Sequence, residues 1–127
     1  MKDLKFRAWF KKKPTWCDQM FYSEEEHGLG DWFGDCEIAH AEGNHVIFMR
    51  YTGMKDKRGK KIYEGDILKH DLWGNSKIIW EHGMFRGVGN EHDVTLADHQ
   101  LKRSRVIGNI YENSELWRNN RHETSSR

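Results

Sequence analysis

The stretch that decides the fold is residues 49–68, which read MRYTGMKDKRGKKIYEGDIL. It opens on a mixture of apolar and aromatic residues and closes on two short apolar pairs, with a polar run between them. Asp56 and Gly59 occupy the first and fourth positions of a predicted type I turn in that run. The stretch therefore predicts a β-hairpin, and Gly65 predicts a second sharp turn before the next strand.

Short strands are also predicted on both sides of this hairpin. Leu4, Phe6 and Ala8 alternate with Lys5, Arg7 and Trp9, which is the period of a half-buried strand, and residues 46–51 are rich in β-branched and aromatic side chains. Further strands are predicted over residues 77–80, 84–88 and 106–111. The pattern favours a mainly β fold: a complex, barrel-like arrangement of short, strongly bent antiparallel strands with little helix.

Helix is predicted in only two places. Asp93 is a candidate N-cap for a short helix over residues 94–101, and Asn113 for a single turn over residues 114–117. The length of 127 residues suits one domain, which we place at residues 1–117, with a polar tail over 118–127. Sixteen aromatic residues (6 Trp, 4 Tyr, 6 Phe) are expected to supply much of its buried area.

Charge is unevenly distributed although the formal net charge is only +1. Residues 14–48 contain eight acidic residues and no Lys or Arg, whereas residues 55–61 contain five cations. We interpret residues 14–48 as an acidic insert that forms a solvated excursion or a hairpin. The near-zero balance excludes a strongly basic or acidic polyelectrolyte.

The sequence predicts a cytoplasmic protein. Its longest apolar run, residues 46–49, is far shorter than the roughly 20 residues of a membrane-spanning helix, and no apolar stretch of a secretory signal follows residue 1. Two cysteines do not make a disulfide framework, so Cys17 and Cys36 are expected to be thiols, with a bridge between them left as the minor alternative.

Four segments together resemble the YopX-like proteins, a protein family carried by bacteriophages and prophages of Gram-positive bacteria. They are KFRAW at residues 5–9, the run over 49–68 quoted above, IIW at 78–80 and VIGNIYENSEL at 106–116. The resemblance implies a complex β fold of coiled, branching sheets approaching a barrel, and it implies no established reaction.

The residues of these motifs have a structural interpretation. Four glycines fall where the chain must bend between strands, and three short polar side chains are suited to bonding backbone amides in such bends. The glycines are Gly53, Gly59, Gly65 and Gly108, and the polar residues are Asp56, Asp66 and Asn109. We therefore expect the recognisable motifs to be scaffold.

The favoured functional hypothesis is binding of another protein or self-assembly. The chain has more tryptophan than a small core readily encloses, and four of the six lie in loop-like or terminal segments: Trp16, Trp32, Trp73 and Trp117. Exposed aromatic residues often anchor interfaces. The alternative is that each ring folds back to cover the core.

The competing hypothesis is a nucleic-acid-binding module. Its candidate binding residues are Lys55, Lys57, Arg58, Lys60 and Lys61, which Lys11–Lys13 and Lys102–Arg105 could join on one face. Concentrated positive charge is what phosphate recognition requires. Trp9, Tyr51 and Tyr63 are the candidate stacking platforms for bases.

Metal binding and catalysis are not predicted. Ligand-type residues are grouped in one segment (Cys17, His27, Cys36, His40 and His45), but they lack the close pairs that favour a tetrahedral zinc site. The sequence contains no phosphate-cradling glycine loop, nucleophile elbow or HExxH motif. We expect a non-enzymatic protein with no cofactor and no membrane partner.

Overall fold

The computed structural model describes residues 5–11, 19–23, 29–43, 45–72, 74–89 and 93–117. Of these residues, 54% lie in strands and 22% in helix, and the strands form two antiparallel sheets, one of which curls into a half-barrel. The predicted mainly β fold with short bent strands is therefore confirmed. The predicted polar tail over 118–127 lies outside the described residues.

Nine strands and two helices follow one another in the described chain. They are β1 (Phe6–Lys11), β2 (Gln19–Tyr22), α1 (Leu29–Ala41), β3 (His45–Lys55), β4 (Lys61–Tyr63), β5 (Asp66–His70), β6 (Gly74–Glu81), β7 (Met84–Gly89), β8 (Asp93–Thr95), α2 (Asp98–Leu101) and β9 (Ser104–Asn109). A helical turn over residues 114–117 follows β9, as predicted from Asn113, whose carbonyl oxygen accepts a hydrogen bond from the Leu116 amide.

The chain divides into two compact units, Met1–Tyr51 and Thr52–Arg127. We call them the first unit and the second unit. One sheet has the strand order β2-β1-β3-β4, and the other has the order β8-β7-β6-β5-β9. Strand β3 begins in the first unit and ends in the second. The single domain predicted over residues 1–117 stays a prediction.

The core of the first unit is built on one face of α1. Trp32, Cys36 and Ala39 follow one another at helical spacing and pack with Ala8 and Phe10 of β1. Trp32 is completely buried, and its ring lies against those of Phe6, Phe21 and other aromatic residues. For Trp32 the exposed-anchor interpretation is wrong, and the alternative, a ring that covers the core, is the observed one.

Helix α1 itself was not predicted. The prediction of a solvated excursion or hairpin is wrong for residues 29–41, which form a helix. The helix ends at Ala41 and is followed by Gly43, which has a φ of +96° and whose amide donates to the His40 carbonyl oxygen. Two helical glycines lower the propensity, and exposed Phe33 and Ile38 interrupt the apolar stripe. The local pattern is therefore weak, and the helix is stabilised by burial of Trp32.

The second unit packs the five-stranded sheet around a small aliphatic core. Ile62, Leu68, Ile78 and Leu101 are its fully buried members. Strands β6 and β7 are joined by the two-residue turn His82-Gly83, in which both residues have positive φ, 55° and 79°. That combination is typical of a type I′ hairpin, whose twist matches that of the paired strands.

The helix predicted over residues 94–101 is only partly correct. Residues 93–95 form β8, in which Val94 and Thr95 pair with Gly87 and Arg86 of β7. The helix is restricted to α2, whose Leu101 amide bonds the Ala97 carbonyl. Val94 and Thr95 are β-branched and suit the available strand edge better than a helix.

Candidate functional site

The predicted basic loop between β3 and β4 is held in one conformation by a single carboxylate. Asp56 Oδ1 accepts hydrogen bonds from the amides of Arg58 (2.8 Å) and Lys60 (2.9 Å), and Oδ2 accepts one from the Val106 amide (2.8 Å). The Gly59 amide also bonds the Asp56 carbonyl oxygen at 3.0 Å, which confirms the predicted turn. The loop cations therefore project from a fixed backbone.

The same hydrogen bonds set the protonation of Asp56. Burial raises the pKa of this carboxyl, but the three backbone amides and the nearby Lys60 ammonium outweigh that effect and hold the pKa below its usual value. Asp56 is only 7% exposed. Its charge is therefore maintained for a structural purpose, inside the loop.

Two other segments lie against this loop. The Lys57 amide donates to the Ser104 carbonyl oxygen at 3.0 Å, and Lys57 Nζ forms an ion pair with Asp71 Oδ1, also at 3.0 Å. The Asp71 amide in turn donates to the Arg103 carbonyl oxygen. The structure thus brings the 55–61 and 102–105 segments together, as the nucleic-acid hypothesis required.

Asp71 is the second carboxylate in this region. The hydrogen bond from the Lys57 ammonium lowers the pKa of Asp71, and together with the charges of Lys57, His70 and Arg103 it outweighs the opposing effect of burial. The pair is largely solvent-exposed, so its contribution to stability is small.

We define the basic cluster as six side chains on these segments and the strands beside them: Lys57, Arg58, Lys60, Lys69, Arg103 and Arg105. Lys69 belongs to the cluster because β5 and β9 pair it directly with Arg105. Of the other predicted binding residues, Lys55 is exposed and Lys61 is half-buried. Lys11 is exposed in the first unit, and Lys12 and Lys13 lie outside the described residues.

The predicted stacking platforms are not available as such. Trp9 and Tyr63 are buried, so neither ring can receive a base, and these two predictions are wrong. Tyr51 is half-buried, with Lys5 Nζ 5.8 Å from its ring centroid. Of the remaining interface candidates, Trp117 is half-buried with Lys77 Nζ 5.5 Å from its ring, while Trp16 and Trp73 lie outside the described residues.

The segment at 108–113 is scaffold, as predicted. Asn109 Oδ1 accepts hydrogen bonds from the amides of Tyr111 (2.9 Å) and Glu112 (2.8 Å), and Asn113 Oδ1 accepts one from the Asn109 amide (3.2 Å). A Cβ on Gly108 would lie 2.5 Å from Asn113 Oδ1, so only glycine fits there.

The other motif residues behave in the same way. Asp66 Oδ2 accepts a hydrogen bond from the Tyr63 amide at 2.8 Å, which closes the bend at Gly65. Gly53, Gly59 and Gly65 all have positive φ, from 83° to 87°. Gly59 and Gly65 lie between strands as predicted, whereas that prediction is wrong for Gly53, which lies within β3, and for Gly108, which lies within β9. The motif carboxylates and amides thus bond the backbone, as the scaffold interpretation predicted.

Sequence analysis missed an apolar groove in the first unit. Its volume is about 380 Å³, and it lies between α1 and β3, lined by Cys36, Glu37, His40, Ala41, Val46 and Phe48. Phe48 is 50% exposed and contacts the ring of Phe33, and Ile38 on the same helix is 58% exposed. Only the packing of α1 against β3 reveals this surface, because no sequence pattern marks it.

Some residues of the metal and disulfide hypotheses lie within the described ranges and others lie outside them. Within those ranges no group of three or more His, Cys, Asp or Glu side chains is placed to hold a metal ion. Cys36 is buried, while Cys17 and His27 lie outside the described ranges. None of the helices in the described part of the chain is long and apolar enough to cross a membrane.

A model of the YopX protein family matches residues 5–118. The chain belongs to the YopX family. No curated protein matches it significantly. Among solved structures, this YopX protein is similar to protein EF1440 from Enterococcus faecalis, with a TM-score of 0.56 and 22% sequence identity over 91% of this chain and 98% of the other. At that identity the likeness concerns the fold alone.

Proposed function

We propose that this YopX protein is a non-enzymatic binding protein that recognises another protein through the apolar groove of its first unit. The observation that carries the proposal is the exposure of Phe33 (37%) and Phe48 (50%), whose rings contact one another on α1 and β3, the two elements that form the groove. Contiguous exposed apolar surface on a small protein commonly marks an interaction site. Phage or prophage origin and a cytoplasmic location belong to the same proposal.

The charge around the groove defines the partner chemically. Residues 29–43 carry four exposed acids, Asp31, Asp35, Glu37 and Glu42, and no Lys or Arg. Glu37 lines the groove directly. A complementary partner presents a bulky apolar side chain to the groove and basic residues to this helix, because opposite charges steer association and exclude wrong partners.

The test is selection of a random displayed peptide library on the immobilised protein. We expect enrichment of peptides that combine one bulky apolar residue with flanking Lys or Arg. Replacing Phe48 by Ser should abolish capture of these peptides. The matched control is Met84→Ser, a similarly exposed apolar residue of the second unit, which should leave capture unchanged.

Light scattering over micromolar concentrations distinguishes the two forms of the proposal. Self-association that Phe48→Ser abolishes would identify the partner as a second copy of the chain. A strict monomer that enriches basic-apolar peptides would identify a different protein. A strict monomer that enriches no peptide, or a control variant as defective as the groove variant, would refute the proposal.

A further inference from the structure

A second surface, on the second unit, has the opposite character. The basic cluster holds six cations drawn from three segments that are distant in sequence, and the hydrogen bonds of Asp56, Lys57 and Asp71 fix those segments against one another. We propose that the basic cluster binds the phosphate backbone of double-stranded nucleic acid. This site is separate from the groove of the first unit.

The acidic side chains beside the basic cluster are less available to a ligand than its cations. Asp56 is buried, and both of its oxygens accept hydrogen bonds from backbone amides. Asp71 forms an ion pair with Lys57. The exposed ends of Arg58, Lys60 and Arg103 therefore dominate the outer surface, which is what an anionic polymer with closely spaced charges requires.

The strand register places two cations of the basic cluster next to each other. Lys69 of β5 and Arg105 of β9 are direct cross-strand partners, so their side chains leave the same face of the sheet. Like charges placed opposite one another destabilise a sheet. A bound anion would offset this repulsion, whereas a purely structural role does not account for the pairing.

The phosphate backbone is favoured over the bases as the ligand. Of the three rings predicted to stack on bases, Trp9 and Tyr63 are buried, and Tyr51 is half-buried with Lys5 Nζ 5.8 Å from its ring centroid. Contacts limited to phosphates are sequence-independent, and a duplex presents them at the highest density. We therefore infer duplex binding without base readout.

The test measures anisotropy of a short fluorescein-labelled DNA duplex at about 50 and about 200 mM salt. The cluster variant is Arg58→Ser with Lys60→Ser, and the matched control is Lys11→Ser with Arg50→Ser, which removes the same two charges from exposed positions of the first unit. We expect the cluster variant to reduce the slope of log affinity against log salt by about 1.8, and its affinity to change between the two salts by roughly tenfold less than that of the wild type.

Lys69→Ser separates binding from structure. It should weaken duplex binding while leaving the melting temperature equal or higher, because it removes a like-charge pair. The proposal is overturned by an absence of salt-dependent binding in the wild type, by equal losses in the cluster and control variants, or by tighter binding of a single strand than of the duplex. The groove substitution Phe48→Ser should leave duplex binding unchanged, so the two proposals fail independently.

Discussion

At the scale of single residues, short polar side chains hold the turns by accepting hydrogen bonds from backbone amides. Asp56 bonds two amides within its own loop and a third amide 50 positions later in the chain. A carboxylate is suited to this because it only accepts and offers several lone-pair positions. Asp56 in the family-specific run at 49–68 therefore has a structural role, which is to hold the turn.

Asp56→Asn should destabilise the protein by about 2 kcal/mol or more at neutral pH. The variant presents an amide donor to a backbone donor and loses the charge that strengthens the remaining bonds. The effect should also depend on pH. The folded-state pKa of Asp56 lies below its unfolded value, so its contribution is present above about pH 4 and is lost as pH falls through the folded-state pKa.

Urea unfolding of both proteins at about pH 7 and about pH 3 measures this difference. The wild type should lose more stability between the two pH values than the variant, since Asp71 and the other carboxylates are common to both. Parallel losses in the two proteins would show that Asp56 does not carry the pH dependence.

At the scale of elements, the same residue type has opposite consequences in a helix and beside a turn. Gly34 lies within α1, and a Cβ there would meet no atom within 4 Å. Gly108 lies in β9, where a Cβ would overlap the side chain of Asn113. Helix α1 therefore keeps a glycine that its packing does not require, and β9 keeps one that it does.

Gly34→Ala should stabilise the protein by about 0.5–1 kcal/mol, because alanine has the higher helix propensity and reduces the entropy of the unfolded chain. Gly108→Ala should destabilise it by about 1–3 kcal/mol, because Asn113 must move and its hydrogen bond to the Asn109 amide is disturbed. Thermal unfolding of the two variants provides the comparison. A loss of stability in Gly34→Ala would contradict the open environment of that position.

At the scale of the whole molecule, the two units share a single strand. Strand β3 pairs with β1 through its first half, from His45 to Arg50, and continues into the second unit, where the sheet places it beside β4. Unfolding either unit removes the partner of one half of this strand.

We expect one cooperative unfolding transition. Native-state hydrogen exchange should give the same opening free energy for the slowest amides of α1 in the first unit and of β5 in the second. The control is Gly108→Ala, which lies in the second unit and should lower both values together. If it lowers only the values of β5, the chain contains two domains, and the single domain expected over residues 1–117 is refuted.

Sequence reasoning recovered most of the second unit because its turns are chemically local. Asp56 with Gly59, the bend at Gly65 and the Asn109 turn each depend on residues within a few positions of one another. It failed at residues 94–101, where pairing of Val94 with β7 decided the conformation. In the first unit it missed α1, since glycines and exposed apolar residues obscure the helical period.

The candidate sites divide in the same way. The five cations of residues 55–61 were identifiable from composition, but their alignment with Arg103 and Arg105 depends on hydrogen bonds made across the fold. The apolar groove had no sequence signal, because its walls come from α1 and β3.

The amino-acid sequence by itself determined the class of fold, the positions of the main turns and the family, because these depend on backbone preferences of glycine, aspartate and asparagine at short range. The tertiary structure alone decided that Trp32 is core rather than surface, that residues 29–41 are helical and that the basic segments at 55–61 and 102–105 are joined by hydrogen bonds. Those outcomes depend on which surfaces meet, and the burial and charge of a side chain are properties of its surroundings rather than of its position in the chain.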